Sequence, residues 1–244
     1  MSNYTFGDDA SARERLRLVA SAYEPVSRQF IAGAAEVQVE TAVDLGCGPG
    51  YSTALLGDVV RPRALVGVDA SEQFLDGARR LVPRATFVAH DVTEAPLPST
   101  PADLIYARLL LAHLPDPAAA AELWREQLTP GGRLLVEDLE GIDAPSGALR
   151  RYEEVSTEMV RRGGGVMYAG AELKGLGGRT APVTVPAELA ARIYLFNVRR
   201  WRDDPAQAER HHSLLELEAE LEEIANRGAP GPVTWFVRQI VLGG

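Results

Sequence analysis

Glycines gathered behind a short apolar run are the first residues that point to chemistry. Residues 42–50 read Ala42-Val43-Asp44-Leu45-Gly46-Cys47-Gly48-Pro49-Gly50. Such glycines let a ligand approach the backbone closely, because no Cβ stands in the way. In open α/β sheets ligands bind beyond the carboxyl ends of the strands, where this turn would lie. The dinucleotide fingerprint Gly-x-Gly-x-x-Gly is not completed, since its last position is Tyr51. Asp44, two residues ahead of the first glycine, would repel a pyrophosphate and attract a cation. The turn therefore favours S-adenosylmethionine, which carries an ammonium and a sulfonium and no phosphate, over NAD.

Two further carboxylates fit that ligand. Asp69 ends the run Ala64–Asp69, about twenty residues after the glycines, and can accept both ribose hydroxyls. Hydrogen bonds to a charged group contribute about 1.5–3 kcal/mol. Asp91 ends a third run, Thr86–Asp91. It can accept the exocyclic amine of adenine while the Val92 amide serves a ring nitrogen. The competing readings are structural: a helix cap for Asp69 and a turn former for Asp91.

The elements that position these residues follow from periodicity. Residues 11–34 predict helix, with Leu16, Val19, Tyr23, Val26 and Phe30 at steps of three and four, and Pro25 is expected to split it in two. The runs at 42–45, 64–69, 86–91, 103–107 and 133–138 alternate with helical stretches, which predicts a parallel sheet covered on both faces. Ser71 and Asp116 are the expected helix caps, Asp116 with Pro117 in the first turn. Residues 146–162 predict another helix. The glycines at 163–165 and 175–178 predict flexible loops. A sixth strand is expected near 181–185, helices over 186–201 and 206–226, and a last strand at the carboxyl end.

In this order the segments resemble the class I, Rossmann-like S-adenosylmethionine-dependent methyltransferases. Val43–Gly50 looks like their first motif, Val66–Ser71 their second, His90-Asp91-Val92 their adenine motif, and Leu128–Val136 their fifth-strand motif. Leu111-Ala112-His113-Leu114-Pro115-Asp116-Pro117 is similar to the segment after strand four in small-molecule methyltransferases of the menaquinone-biosynthesis type. The resemblance covers about residues 40–140. It implies an α/β fold: a seven-stranded sheet of order 3-2-1-4-5-7-6 with an antiparallel last strand, helices on both faces and a helical cap. The expected organisation is one methyltransferase domain over 1–244, with a helical lid at 1–34, a cofactor core at 35–140, a substrate-binding cap at 141–230 and the last strand at 231–244. The resemblance also places the Tyr4–Gly7 and Glu14–Leu16 segments near the cofactor. A Tyr4 ring could cover the sulfonium, and Arg15 could meet the methionine carboxylate. The expected cofactor contacts are Tyr4, Arg15, Asp44, Gly46, Cys47, Gly48, Asp69, Ala70, Asp91, Val92 and Arg108, with no metal.

His113 is the expected catalytic residue. It follows strand four, at the sheet edge where an acceptor should lie, and an imidazole titrating at about pH 6–7 could take a proton from a hydroxyl. Its structural alternative is a ring bonded to a backbone carbonyl. Glu137, Asp138 and Glu140 are expected over the same crevice, as contacts for a cation, a metal or a base, or else as a solvated loop edge. His211-His212 reads as helix surface.

The acceptor is narrowed by exclusion. Cytosine carbon methylation needs a cysteine from the strand-four region, and the single cysteine is Cys47. Amino-directed enzymes on nucleic acid or glutamine carry Asn/Asp-Pro-Pro-aromatic after strand four, where this chain has Tyr106-Ala107-Arg108-Leu109. A net charge of -9 repels a polyanion, and the clusters Arg161-Arg162 and Arg199–Arg202 are short. A small molecule is therefore the expected acceptor, with O- or N-methylation. No signal peptide or membrane-length apolar run is visible, and a cytoplasmic protein is expected, with a homodimer as one option. The alternatives are a protein that uses S-adenosylmethionine without methyl transfer, as in cyclisation or decarboxylation, a binding module without turnover, and an NAD-dependent oxidoreductase.

Overall fold

The computed structural model describes residues 6–34, 39–145, 147–228 and 231–244. Its apolar runs become β1 (Thr41–Leu45), β2 (Ala64–Asp69), β3 (Thr86–Ala89), β4 (Ala102–Arg108) and β5 (Leu128–Asp143). With β6 (Arg179–Val185) and β7 (Val233–Gly243) they form one sheet of order β3-β2-β1-β4-β5-β7-β6. The first five strands pair in parallel, and β7 runs antiparallel to both β5 and β6. Order and direction are those the sequence led us to expect.

Helices cover both faces, and the alternation of strand side chains explains how. Val43, Val66, Val68, Ile105, Leu134 and Val136 meet Trp124 of α4 (Pro117–Arg125) on one face. Ala42, Leu65, Leu104, Tyr106 and Leu135 face α1 (Ala10–Ala34), α2 (Tyr51–Val60) and α3 (Glu72–Leu81) on the other, through Ile31, Leu56 and Leu75. Burial on two sides makes each strand read as an unbroken apolar run. Each fully buried Leu or Ile contributes about 1.5–3 kcal/mol.

Local chemistry sets the ends of the helices. The Ser71 hydroxyl accepts from the Phe74 amide at 3.2 Å and caps α3. Asp116 accepts from the Ala119 amide at 2.9 Å and caps α4, with Pro117 in its first turn. Gly50, at φ +91°, starts α2, and a Cβ there would stand 3.0 Å from the backbone of Ala78. The expected break at Pro25 does not occur, and α1 is continuous through it. The helix is held on both sides of the proline, by Tyr23 in one buried cluster and by Phe30 and Ile31 in another. That packing offsets the roughly 3 kcal/mol a mid-helix proline costs.

The second half is part of the same sheet. Strand β5 runs past residue 140 to Asp143, and β6 is the edge strand. Around them stand α5 (Gly147–Arg162), the single turn α6 (Ala169–Glu172), α7 (Ala187–Arg202) and α8 (His211–Arg227). The apolar sides of α5, α7 and α8 share one cluster with Tyr23, Val183, Val185, Trp235 and Val237, and Ala169 of α6 packs into the cluster of Trp124. The glycines expected to be flexible are partly tied down. Gly165 donates to the Val160 carbonyl at 3.0 Å and Val166 donates to the Ala112 carbonyl at 2.9 Å.

Candidate active site

The carboxyl ends of β1, β2, β4 and β5 open into a cavity of about 460 Å³, a size usual for a small-molecule site. At one end lies the glycine turn. Gly46 has φ +61°, and a Cβ on it would stand 2.6 Å from Leu110 Cδ1. Gly48 has φ +51° and lies under Leu16 of α1. Both positions need glycine, one for space as well as for conformation.

Asp69 ties the turn to the next loop. Its Oδ2 accepts from the Gly48 amide at 2.8 Å and its Oδ1 from the Ser71 amide at 2.8 Å. A carboxylate has about four lone-pair sites, so these amides leave room for a ligand donor. Burial pushes its pKa up, against the pull of those amides. Ala70 also lines the cavity, as does Cys47, whose thiol burial holds well above the usual range. Asp91 lines it too, but its Oδ1 is committed to the amide and hydroxyl of Thr93, at 2.9 and 2.7 Å. The turn reading of Asp91 is thus real, and it leaves Oδ2 for a ligand. Val92 is on the wall, its carbonyl accepting from Trp124 Nε1 at 2.8 Å.

Asp44 is placed differently from the expectation of direct contact. It is fully buried and not part of the cavity wall. The hydroxyls of Ser52 and Thr53, at the start of α2, donate to its Oδ2 at 2.7 and 2.6 Å. Its Oδ1 is buried without a hydrogen-bond partner. Burial raises its pKa to about 6, opposed by the two hydroxyls. A carboxylate therefore stands at the helix N-terminus that would otherwise cradle a phosphate. With Asp8, Asp69 and Asp91 on the wall, this end suits a cationic, phosphate-free ligand and not a pyrophosphate.

The N-terminal segment crosses this end. Asp8 accepts from the Ser71 hydroxyl at 2.8 Å, and Asp9 lies 3.5 Å from Arg200 of α7. Phe6 lies against Trp201 and edge-on to His113, at ring separations of 5.9 and 5.6 Å. Arg15 is buried, with its guanidinium 4.9 Å from the Phe6 ring centre, and it lines the cavity. Tyr4 falls outside the described residues.

At the other end the wall is apolar and aromatic. Tyr23, Ile142, Tyr152, Met167, Tyr194 and Trp235 contribute to it. Arg108, at the end of β4, donates to Ser27 Oγ at 3.3 Å and makes no ion pair with any described residue. It lies close enough to Tyr23 to lower that phenol's pKa, against the larger upward push of burial. His113 reaches the wall as expected, yet burial and then the Arg15 charge lower its pKa to about 4. It is neutral through neutral pH and a weak base, so the expected titration near 6–7 is displaced.

The three acidic residues of β5 separate. Only Asp138 lines the cavity. Its Oδ2 accepts from the Leu111 amide at 2.8 Å and its Oδ1 from the Leu139 amide at 3.0 Å, and burial raises its pKa to about 7. Glu137 is fully buried in the sheet, accepting from the Tyr106 hydroxyl and from Gln239 Nε2 at 2.7 Å. Glu140 is paired with Arg238 of β7 at 2.7 Å and with Lys174, in the turn after α6, at 3.2 Å. Successive strand residues point to opposite faces, which divides Glu137 from Asp138. Among the described residues no group of three or more acidic, His or Cys side chains is placed to hold a metal, and no helix is long and apolar enough to cross a membrane. The arginine clusters are engaged in ion pairs: Arg161 and Arg162 with Glu158, Arg199 and Arg202 with Glu218. His211 and His212 are exposed at the start of α8.

Sequence reasoning missed Tyr23 and Trp235 as wall residues. Tyr23 read as an ordinary apolar helix position, and Trp235 reaches the cavity only because the sheet order sets β7 beside β5.

Comparison with known proteins bears on this arrangement. Residues 43–136 match the methyltransferase domain family. The trans-aconitate 2-methyltransferase of Azoarcus sp. (strain BH72) is 40% identical over 111 residues, 46% of this chain and 44% of that protein. That of Sinorhizobium medicae (strain WSM419) is 30% identical over 173 residues, 71% of this chain and 63% of that protein. The chain thus spans about half the length of the curated relatives it matches. Among solved structures, the methyltransferase of Thiobacillus denitrificans in complex with S-adenosyl-L-homocysteine covers 90% of this chain and 92% of its own, with TM-score 0.51 and 15% identity. YjhP of E. coli covers 93% and 100%, with TM-score 0.54 and 15% identity. At that identity the likeness speaks for the fold.

Proposed function

We propose, from the match of residues 43–136 to the methyltransferase domain family and the likeness to trans-aconitate 2-methyltransferases, that the chain is a class I, Rossmann-like S-adenosylmethionine-dependent methyltransferase that methylates an oxygen of a small acid held at the aromatic end of the cavity. The glycine turn, Asp69, Ala70, Asp91 and Val92, which line the cavity together, would hold the nucleoside, and Arg15 would hold the amino-acid end of the cofactor. Bound there, S-adenosylmethionine supplies a methyl group on positively charged sulfur, and its transfer to a carboxylate oxygen cancels both charges and releases no proton.

One observation carries the choice of acceptor. Arg108, expected from the sequence to meet the cofactor, is assigned to the acceptor in this reading, because it lines the cavity with only a serine hydroxyl as its partner among the described residues. A guanidinium in that position matches a carboxylate in both charge and shape. His113, neutral and weakly basic, contributes shape and excludes water. The relatives are named for a carboxylic acid substrate, which agrees with an acid acceptor. Alignment is then the protein's main contribution, and well-oriented reactions gain about 7–11 kcal/mol from it.

Asp138 favours a second reading. With a pKa of about 7 and a place on the wall, it is able to take the proton of a hydroxyl acceptor. Mass spectrometry of small acids and phenols incubated with the protein and S-adenosylmethionine tests the proposal. A product heavier by one CH2 supports methyl transfer, and turnover of the cofactor without such a product contradicts it. A rate independent of pH between about 5.5 and 8 supports a carboxylate acceptor. A limb near 7 that disappears in Asp138→Asn supports the hydroxyl.

A further inference from the structure

The acceptor end of the cavity is built from rings. Tyr23 stacks on Trp235 at 5.5 Å with 21° between their planes, and Trp235 leans on Tyr194 at 6.4 Å. Tyr194 stacks on Tyr152 at 3.7 Å and 8°. All four line the cavity. The polar atoms of Trp235, Tyr194 and Tyr152 are engaged with one another or with neighbours. Trp235 Nε1 donates to the Tyr194 hydroxyl at 2.9 Å, and Asn197 Nδ2 donates to the Tyr152 hydroxyl at 2.5 Å. What these three rings offer a ligand is π surface and edges. Such surfaces favour another flat ring in stacked or edge-on contact.

Charge narrows the ligand further. The cavity wall carries two arginines, Arg15 and Arg108, against four aspartates, Asp8, Asp69, Asp91 and Asp138. The methionine carboxylate of the cofactor takes one cation, Arg15 by position, which leaves Arg108 for the acceptor. A tricarboxylate such as trans-aconitate brings more negative charge than this wall can neutralise, and it brings no ring. We infer that the acceptor is a planar aromatic compound with a single acidic group, its ring on the Tyr23–Trp235–Tyr194 wall and its anion on Arg108.

This inference rests on the methyl-transfer reading, and the test separates the two. Binding is measured by calorimetry on the full chain, first with S-adenosylhomocysteine alone. The loaded protein is then titrated with 2-naphthoate, with 2-naphthamide, which has the ring without the charge, and with trans-aconitate, which has the charge without the ring. The naphthoate is expected to bind at least about tenfold more tightly than either control. Arg108→Gln and Trp235→Leu should each weaken naphthoate by about tenfold, and Arg108→Lys by less, with the affinity for S-adenosylhomocysteine changed less than about twofold. Retained cofactor affinity also shows that the variants are folded. Equal or tighter binding of trans-aconitate overturns the inference. So does an Arg108→Gln variant that loses cofactor and naphthoate alike, which would assign Arg108 to the cofactor's own carboxylate. Absence of S-adenosylhomocysteine binding in the unaltered protein overturns methyl transfer instead, and the naphthoate comparison still decides the wall's ligand.

Discussion

His113 lines the cavity, but its environment changes what it can do. Buried beside Arg15, it has a pKa of about 4 and offers little driving force for taking a proton at neutral pH. For a carboxylate acceptor, His113→Asn should lower kcat by less than about tenfold and leave the pH–rate profile between about 5.5 and 8 unchanged. A hundredfold loss together with a lost limb in that window would restore the general base. Residue identity was legible where a motif fixes the backbone: Gly46, Gly48 and Asp69 meet at the same turn because strand ends and glycine conformations determine their places. Asp44 shows the limit. Its type was informative, yet whether it faced the ligand depended on two hydroxyls, Ser52 and Thr53, turning back over it. No pattern in the sequence announces that.

At the level of elements, the strands of the first half could be read in order because each is buried on two faces and is followed by a capped helix. Beyond β5 the same reading found β6, α7 and α8 nearly in place, but not what they enclose, since a cavity wall is made by elements far apart in sequence. Two devices join these elements. One is internal to the sheet. Tyr106 of β4 and Gln239 of β7 both donate to Glu137 of β5, across three adjacent strands. Tyr106→Phe leaves one oxygen of a buried carboxylate short of a donor and should cost about 1–3 kcal/mol. Urea unfolding with an unchanged slope measures it, and a neutral result would mean water replaces the hydroxyl. The other device is the segment from Phe6 to Asp9, tied to Ser71 on the cavity wall and to Arg200 on α7. Hydrogen exchange in residues 6–34 should slow when S-adenosylhomocysteine binds, because Arg15 and Leu16 line the same cavity. Unchanged exchange there would count against a closing lid.

For the molecule as a whole, buried titratable groups tie stability to pH in two directions. Asp138 has its pKa raised to about 7, so the folded state keeps a proton that the unfolded chain releases. Its contribution is present in full at about pH 4 and below and is lost as pH rises through about 7. Asp44 acts in the same direction through about 6. His113 acts oppositely: its lowered pKa means stability that holds above about 6.5 is lost as pH falls toward 4. The stability advantage of the unaltered protein over Asp138→Asn should therefore shrink between pH 5 and pH 8, roughly the window of its raised pKa. A constant gap in denaturation at the two pH values would contradict the burial of that carboxylate.

The account as a whole rests on the cationic, phosphate-free ligand at the glycine turn, and calorimetric titration with S-adenosylhomocysteine tests it most directly. Micromolar binding is expected, with Asp69→Ala weakening it by at least about tenfold through loss of the ribose contacts, while NAD shows no heat of binding. Retained affinity in a folded Asp69→Ala protein, or binding of NAD in place of S-adenosylhomocysteine, would contradict it.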